Sequence, residues 1–153
     1  MKSSTATLRV AADLKYLAAI RHFFEQTAAA LRADKEAMLD LMQALDECAC
    51  NIIVHGYQDG LGEIRVEVWC EGERLLVRLS DQAPPFDPTQ APTPDTTLPL
   101  DMRPMGGMGI HLSRHLTDAM IYRRTGNGGN ELTLIKTAIP PQTSEEANHA
   151  GDR

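Results

Sequence analysis

The chain has 153 residues, 42% of them hydrophobic and 24% charged, which fits one domain with its own core. Its formal net charge is -6 and no Lys/Arg run exceeds two residues, which argues against nucleic acid or an anionic membrane as the main partner. No apolar run approaches the ~18 residues of a membrane span, and the opening MKSSTATLRVAAD lacks a signal-peptide layout, so a cytoplasmic protein is expected.

Residues 5–11, TATLRVA, alternate as a first strand. Asp13 is placed to cap a helix running to about Leu31, with Leu14, Leu17, Ile20, Phe24, Ala28 and Leu31 at spacings of three and four. Asp34 is placed to cap a second helix. Met38, Leu41, Leu45, Cys48 and Ile52 draw its apolar stripe, and Gly56 is its expected end. EIRVEVWC and ERLLVRLS, separated by Glu71 and Gly72, predict a hairpin.

After Asp81 the composition changes: residues 82–105 hold seven prolines and little periodicity, the mark of a functional or mobile loop. A short helix is expected from near Met108 to about Leu116. DAMIYRRT and NELTLIKTAI, joined by GNGG, then predict two last strands. The domain is expected over 5–139, and the polar tail 140–153 is expected to be disordered. The order β-α-α-β-β-loop-α-β-β predicts an α+β two-layer sandwich, a mostly antiparallel sheet with helices on one face.

Cys48, Cys50 and Cys70 are odd in number and form no CxxC pair, so they read as small core residues. His111 and His115 stand four apart on a helix, but no third metal ligand is evident near them.

Three clusters carry chemistry. Glu47 and Asn51 stand one helical turn apart in ALDECACNIIVHGY, on the face opposite the apolar stripe, together with Asp40. Their hard oxygens suit Mg²⁺ or a proton in transit, and equally a solvated surface. Asp81 sits where a strand pattern meets SDQAPPFD; a carboxylate there can accept from an amine, or simply end the strand. Gly106, Gly107 and Gly109 in MGGMGIHLSRH lead into a helix, where glycines admit a phosphate to backbone N–H groups or make a turn.

The three clusters together, in this order and spacing, resemble the GHKL superfamily of ATP-binding domains, and within it the small bacterial anti-sigma-factor serine/threonine kinases. LDECACNIIVHGY resembles their N box, DQAPPFDP their adenine-binding box, and GGMGIHLSRHLTDAMIYRRTGNGGNELTLIK their lid end, third helix and last strands. The resemblance implies ATP and Mg²⁺ as cofactors and assigns roles. Glu47 would be the general base, Asn51 the Mg²⁺ ligand and Asp81 the acceptor of the adenine amine. Gly107 and Gly109 would bring amides to the phosphates, and residues from about Pro88 to Met105 would form the lid. Arg103 and Arg114 are the cations near the phosphate end. One position departs: the glycine expected two residues after Asp81 is Ala83, whose methyl stands where backbone should approach the nucleotide.

The implied function is a serine protein kinase that phosphorylates a STAS-domain anti-sigma antagonist and sequesters a sigma factor, with a homodimer raised by the habit of related kinases. The alternative is a non-catalytic nucleotide-sensing binding module. Ala83 favours that alternative; Glu47, for which a mere binder has no need, disfavours it.

Overall fold

The computed structural model describes residues 2–58, 60–90 and 107–141, with side chains in the last segment from residue 112 on. Strand β1 spans Ala6–Ala11. Asp13 caps, as expected, but its carboxylate accepts from the Lys15 N–H only two residues on. It therefore fixes a tight 3-10 turn over Leu14–Tyr16, and the α-helix α1 starts later, at Leu17–Ala30. Asp34 caps helix α2, Lys35–Asn51, by accepting from the Ala37 N–H at 3.0 Å. Such a cap contributes ~1 kcal/mol. Past Asn51 the helix widens into one π-helical turn, Ile52–Gly56, closed by the Tyr57 N–H on the Ile52 carbonyl at 2.9 Å.

The hairpin follows as β2, Glu63–Glu71, and β3, Arg74–Asp81. Its turn is Gly72–Glu73, one residue later than predicted, because Gly72 takes the left-handed φ of +59° that the turn needs. Helix α3 spans Gly107–Leu116, and the last strands are β4, Ala119–Arg124, and β5, Asn130–Thr137. The expected disordered tail lies outside the described residues from 142 on.

The five strands form one antiparallel sheet in the order β1-β2-β3-β5-β4. The last hairpin thus places its second strand against β3 and its first at the edge. Ile64, Val66 and Val68 of β2, Leu75, Val77 and Leu79 of β3, and Leu132 and Leu134 of β5 face the helices. They bury against Ile20, Phe24 and Ala28 of α1 and Met38, Leu41, Leu45 and Cys48 of α2. Each large side chain withdrawn fully from water stabilises the fold by ~1.5–3 kcal/mol. The opposite face of the sheet is charged, with a small apolar cluster of Trp69, Leu76 and Ile135. Arg78 stacks over the Trp69 ring at 4.8 Å. The α+β two-layer sandwich expected from the sequence is the architecture found.

Helix α3 docks on α2 through Ser113, which donates to the Ala44 carbonyl and lies 3.7 Å from the Cys48 sulfur. Burial pushes the Cys48 thiol up to about 11, opposed by its hydrogen bond with Ser113 and helped slightly by the Glu47 charge, so this cysteine is a packing residue. Lys136 ties the end of α3 to the sheet by donating to the Leu116 carbonyl, and it pairs with Asp40 at 3.5 Å. Asp40 therefore belongs to this scaffold, although it shares a helical face with Glu47 and Asn51.

Candidate active site

A cavity of about 290 Å³ opens where the end of α2, the end of β3 and the start of β5 converge. Asn51, His55, Asp81, Ala83, Phe86 and Tyr122 are among its walls. The N-box amide and the carboxylate thirty residues later thus meet in one pocket. Glu47 does not line it; it stands one turn earlier, about 6 Å of helix rise from Asn51, and is partly exposed. Gly107 and Gly109 both lie within the first turn of α3, which begins at Gly107, one residue before the expected start near Met108. The first four N–H groups of a helix lack intrahelical partners, so this turn offers backbone donors. Gly106, Arg103 and the lid beyond Gln90 lie outside the described residues. Arg114 donates to the Pro88 carbonyl at 2.6 Å, anchoring the start of the Pro-rich loop to α3.

Asp81 is buried at the end of β3. Its Oδ1 accepts from the Asn130 side-chain amide and from the Ala83 N–H, both at 2.9 Å. That leaves Oδ2 with acceptor capacity for a ligand amine. Burial raises its pKa above the ordinary carboxylate value, and the two hydrogen bonds oppose that rise.

Asn130 is the centre of this wall. Its amide nitrogen also donates to the carbonyls of Ala83 and Pro84, while its oxygen accepts from the Phe86 N–H and the Tyr122 hydroxyl. Tyr57 braces the same loop from the other side: its hydroxyl accepts from the Gln82 N–H at 2.7 Å and donates to the Glu63 carbonyl. Sequence reasoning missed both residues. Asn130 follows a glycine turn like many strand-opening asparagines, and only its cross-strand place opposite Asp81 reveals its part.

Residues 10–136 match the family described as histidine kinase-like ATPase domain. The chain belongs to that family. This histidine kinase-like ATPase domain is 28% identical over 141 residues to the serine/threonine-protein kinase BtrW of Bordetella bronchiseptica, covering 92% of this chain and 99% of that protein. It is 25% identical to the serine-protein kinase RsbW of Bacillus cereus, over 72% of each chain. Among solved structures, the RsbU and RsbW domains of Rv1364c from Mycobacterium tuberculosis superpose with a TM-score of 0.64 at 18% identity. That match covers 91% of this chain and 34% of the other, and supports the fold.

In this ATPase domain the pocket's chemistry suits a nucleotide base. An apolar slot walled by Ile52, Ala83 and Leu132 carries one carboxylate with an acceptor to spare. Among the described residues no group of three or more His, Cys, Asp or Glu could hold a metal alone. A single amide oxygen at Asn51 fits a hard cation carried mainly by phosphates and water.

Ala83 resolves in favour of a formed pocket. It is buried, and its φ is not positive. Its methyl faces Gly56 on the π turn, where a Cβ added to the glycine would lie 3.1 Å from it. A glycine just beyond one turn after Asn51 therefore makes the room that Ala83 takes. Gly56→Ala is expected to weaken nucleotide binding several-fold by pushing this wall inward, and Gly56→Ala with Ala83→Gly to restore it. A calorimetric double-mutant cycle should give a coupling of ~0.5–3 kcal/mol; additive losses would refute the steric pairing.

Proposed function

We propose that this ATPase domain is an ATP-dependent protein serine kinase acting in the cytoplasm on a STAS-domain anti-sigma antagonist. It would also sequester a sigma factor, as a homodimer in the reading the sequence resemblance suggests. The observation that carries the catalytic part is the convergence of Asn51, Asp81 and Ala83 on one cavity, with Glu47 one helical turn before Asn51 and partly exposed. Relatives named as serine kinases that match most of the chain support it. The polypeptide partners rest on the motif resemblance. Among the described residues no helix is long and apolar enough to cross a membrane.

In this reading Asp81 Oδ2 accepts from the exocyclic amine of adenine and fixes the base. Asn51 would hold Mg²⁺ through its side-chain oxygen, and the ion would supply charge neutralisation that lowers the barrier to attack. The backbone N–H groups at the start of α3, around Gly107 and Gly109, receive phosphate oxygens. Glu47 takes the proton from the incoming serine hydroxyl. Because it stands outside the base pocket and partly exposed, it is open to a side chain delivered by another protein. Positioning and charge neutralisation supply most of the acceleration.

On its own, Ala83 favours a non-catalytic nucleotide sensor; with its methyl paired to Gly56, that feature loses its force. The deciding experiment incubates the protein with γ-labelled ATP, Mg²⁺ and STAS-domain proteins from the same genome. Transfer of label to a serine of one of them is expected. ATP binding without transfer to any of them would establish the sensor reading instead.

A further inference from the structure

The helix-free face of the sheet carries a row of five cross-strand partners: Arg9, Arg65, Ser80, Glu131 and Arg123, one from each strand. Arg9 stands directly opposite Arg65, and like charges so placed destabilise a strand pair. At the centre of the row the Arg65 Nε and the Ser80 Oγ, also direct partners, are buried without a hydrogen bond. Arg65 Nε comes within 3.4 Å of Glu67, but not in hydrogen-bonding alignment. Buried polar atoms are nearly always satisfied, so two facing orphans call for a partner.

A cavity of about 490 Å³ lies over this row, with Thr125 and Asn127 of the β4–β5 turn in its lining. Three carboxylates share its wall, those of Glu63, Asp81 and Glu131. Glu131 is engaged by Arg123 at 3.1 Å and by Arg78 at 3.6 Å, and Glu63 faces Arg9 at 3.8 Å. Arg9, Arg65 and Arg123 balance Glu63, Asp81 and Glu131 in the lining, so the cleft is locally neutral in a chain of net -6. The side chains of Arg9 and Arg123 are 63% and 69% exposed, and their ion pairs with Glu63 and Glu131, so close to water, cost little to exchange for a ligand.

We propose that this cleft is a second ligand site, specific for a phosphate-type oxyanion. Arg65 Nε and Ser80 Oγ–H donate to it, and Arg9 and Arg123 close over it. The oxyanion separates Arg9 from Arg65 and supplies acceptors to both orphans, with charge-assisted hydrogen bonds that outweigh neutral ones. The site backs onto the nucleotide cavity, since Asp81 and Asn130 belong to the walls of both, yet its donors face the other side of the sheet.

The test titrates inorganic phosphate, and separately a short phosphoserine peptide, into the full chain at low salt with saturating Mg·ADP. Binding is read by calorimetry and by the shift in Tm. Saturable binding is expected in the wild type. It should weaken at least tenfold in Arg65→Gln combined with Ser80→Ala, a change of about 1.4 kcal/mol. Arg65→Lys, which keeps the charge and loses Nε, should bind at an intermediate level and guards against misfolding of the double variant. Binding that is unsaturable, or equal in all three proteins, would overturn the proposal. A tighter response to the peptide than to phosphate assigns the oxyanion to a phosphorylated polypeptide; an equal or weaker one assigns it to the free ion. Failure of ADP to bind would strike the nucleotide reading and leave this result interpretable through its own variants.

Discussion

Glu47→Gln is expected to slow phosphoryl transfer to a serine acceptor by roughly 10²–10⁴-fold, the usual worth of a positioned general base. Nucleotide affinity should stay nearly unchanged. The expectation follows from where the side chain stands. Glu47 shares the α2 turn that leads to Asn51, but it lies outside the cavity walled by Asn51, Asp81 and Ala83, so its removal takes no contact from the bound base. Gln keeps the length, the hydrogen-bonding oxygen and the helix propensity, and loses only the capacity to accept a proton. The measurement is a single-turnover assay with labelled ATP beside a calorimetric titration of the same variant. A fall in kcat with KM for ATP held marks an interaction made only in the transition state. A variant that still transfers label at the wild-type rate would remove Glu47 from the chemistry.

Asp81→Asn is expected to do the reverse: to weaken ATP binding by roughly 10–100-fold while the fold stays intact. The Asn oxygen can keep the bonds from Asn130 and Ala83 that Oδ1 now accepts, so the loop stays clamped. Its amide nitrogen would then occupy the Oδ2 position and turn a donor toward the adenine amine. Two donors facing each other in a partly desolvated slot cost the desolvation of both, about 1–3 kcal/mol for a group left unpaired.

The pH dependence follows from burial. The Asp81 pKa is raised in the folded protein, so its contribution to stability is fully present below the unfolded pKa and is lost as pH rises through the folded value. At neutral pH the variant, which carries no buried charge, should therefore melt no lower than the wild type, and the two should converge toward acid. Wild-type affinity for ATP should fall as pH drops through the raised pKa, because the acceptor becomes protonated; the Asn variant should lack that step. Thermal melts and titrations across the acid range check both, and an identical pH profile in the two proteins would exclude Asp81 as the titrating contact.

The elements were legible because their causes are local. Asp34 followed by a stripe at threes and fours announces a capped helix, and the structure has that cap. The alternation of EIRVEVWC announces a strand with one face buried, and Ile64, Val66 and Val68 are fully buried. Where local signals competed, the prediction slipped by a residue or a turn. Asp13 capped a 3-10 turn before α1, and Gly72 drew the hairpin turn one position on. The candidate residues were legible as types at spacings. Asn51 and Asp81 stand out for their oxygens, and the fold brings them to one cavity.

The sequence by itself determined the order of the elements, their caps and which face of each is apolar, because those depend on residues within a few positions of one another. It also marked Glu47, Asn51 and Asp81 as the groups worth watching. Only the tertiary structure decided that β5 lies between β3 and β4, and with it that Asn130 stands opposite Asp81 and clamps the loop that walls the cavity. The same register lined up the arginine row on the far face, and the packing of the π turn on that loop set Gly56 against Ala83. These are contacts between segments tens of residues apart, fixed by strand register and by burial of a shared core. No spacing within one segment encodes them.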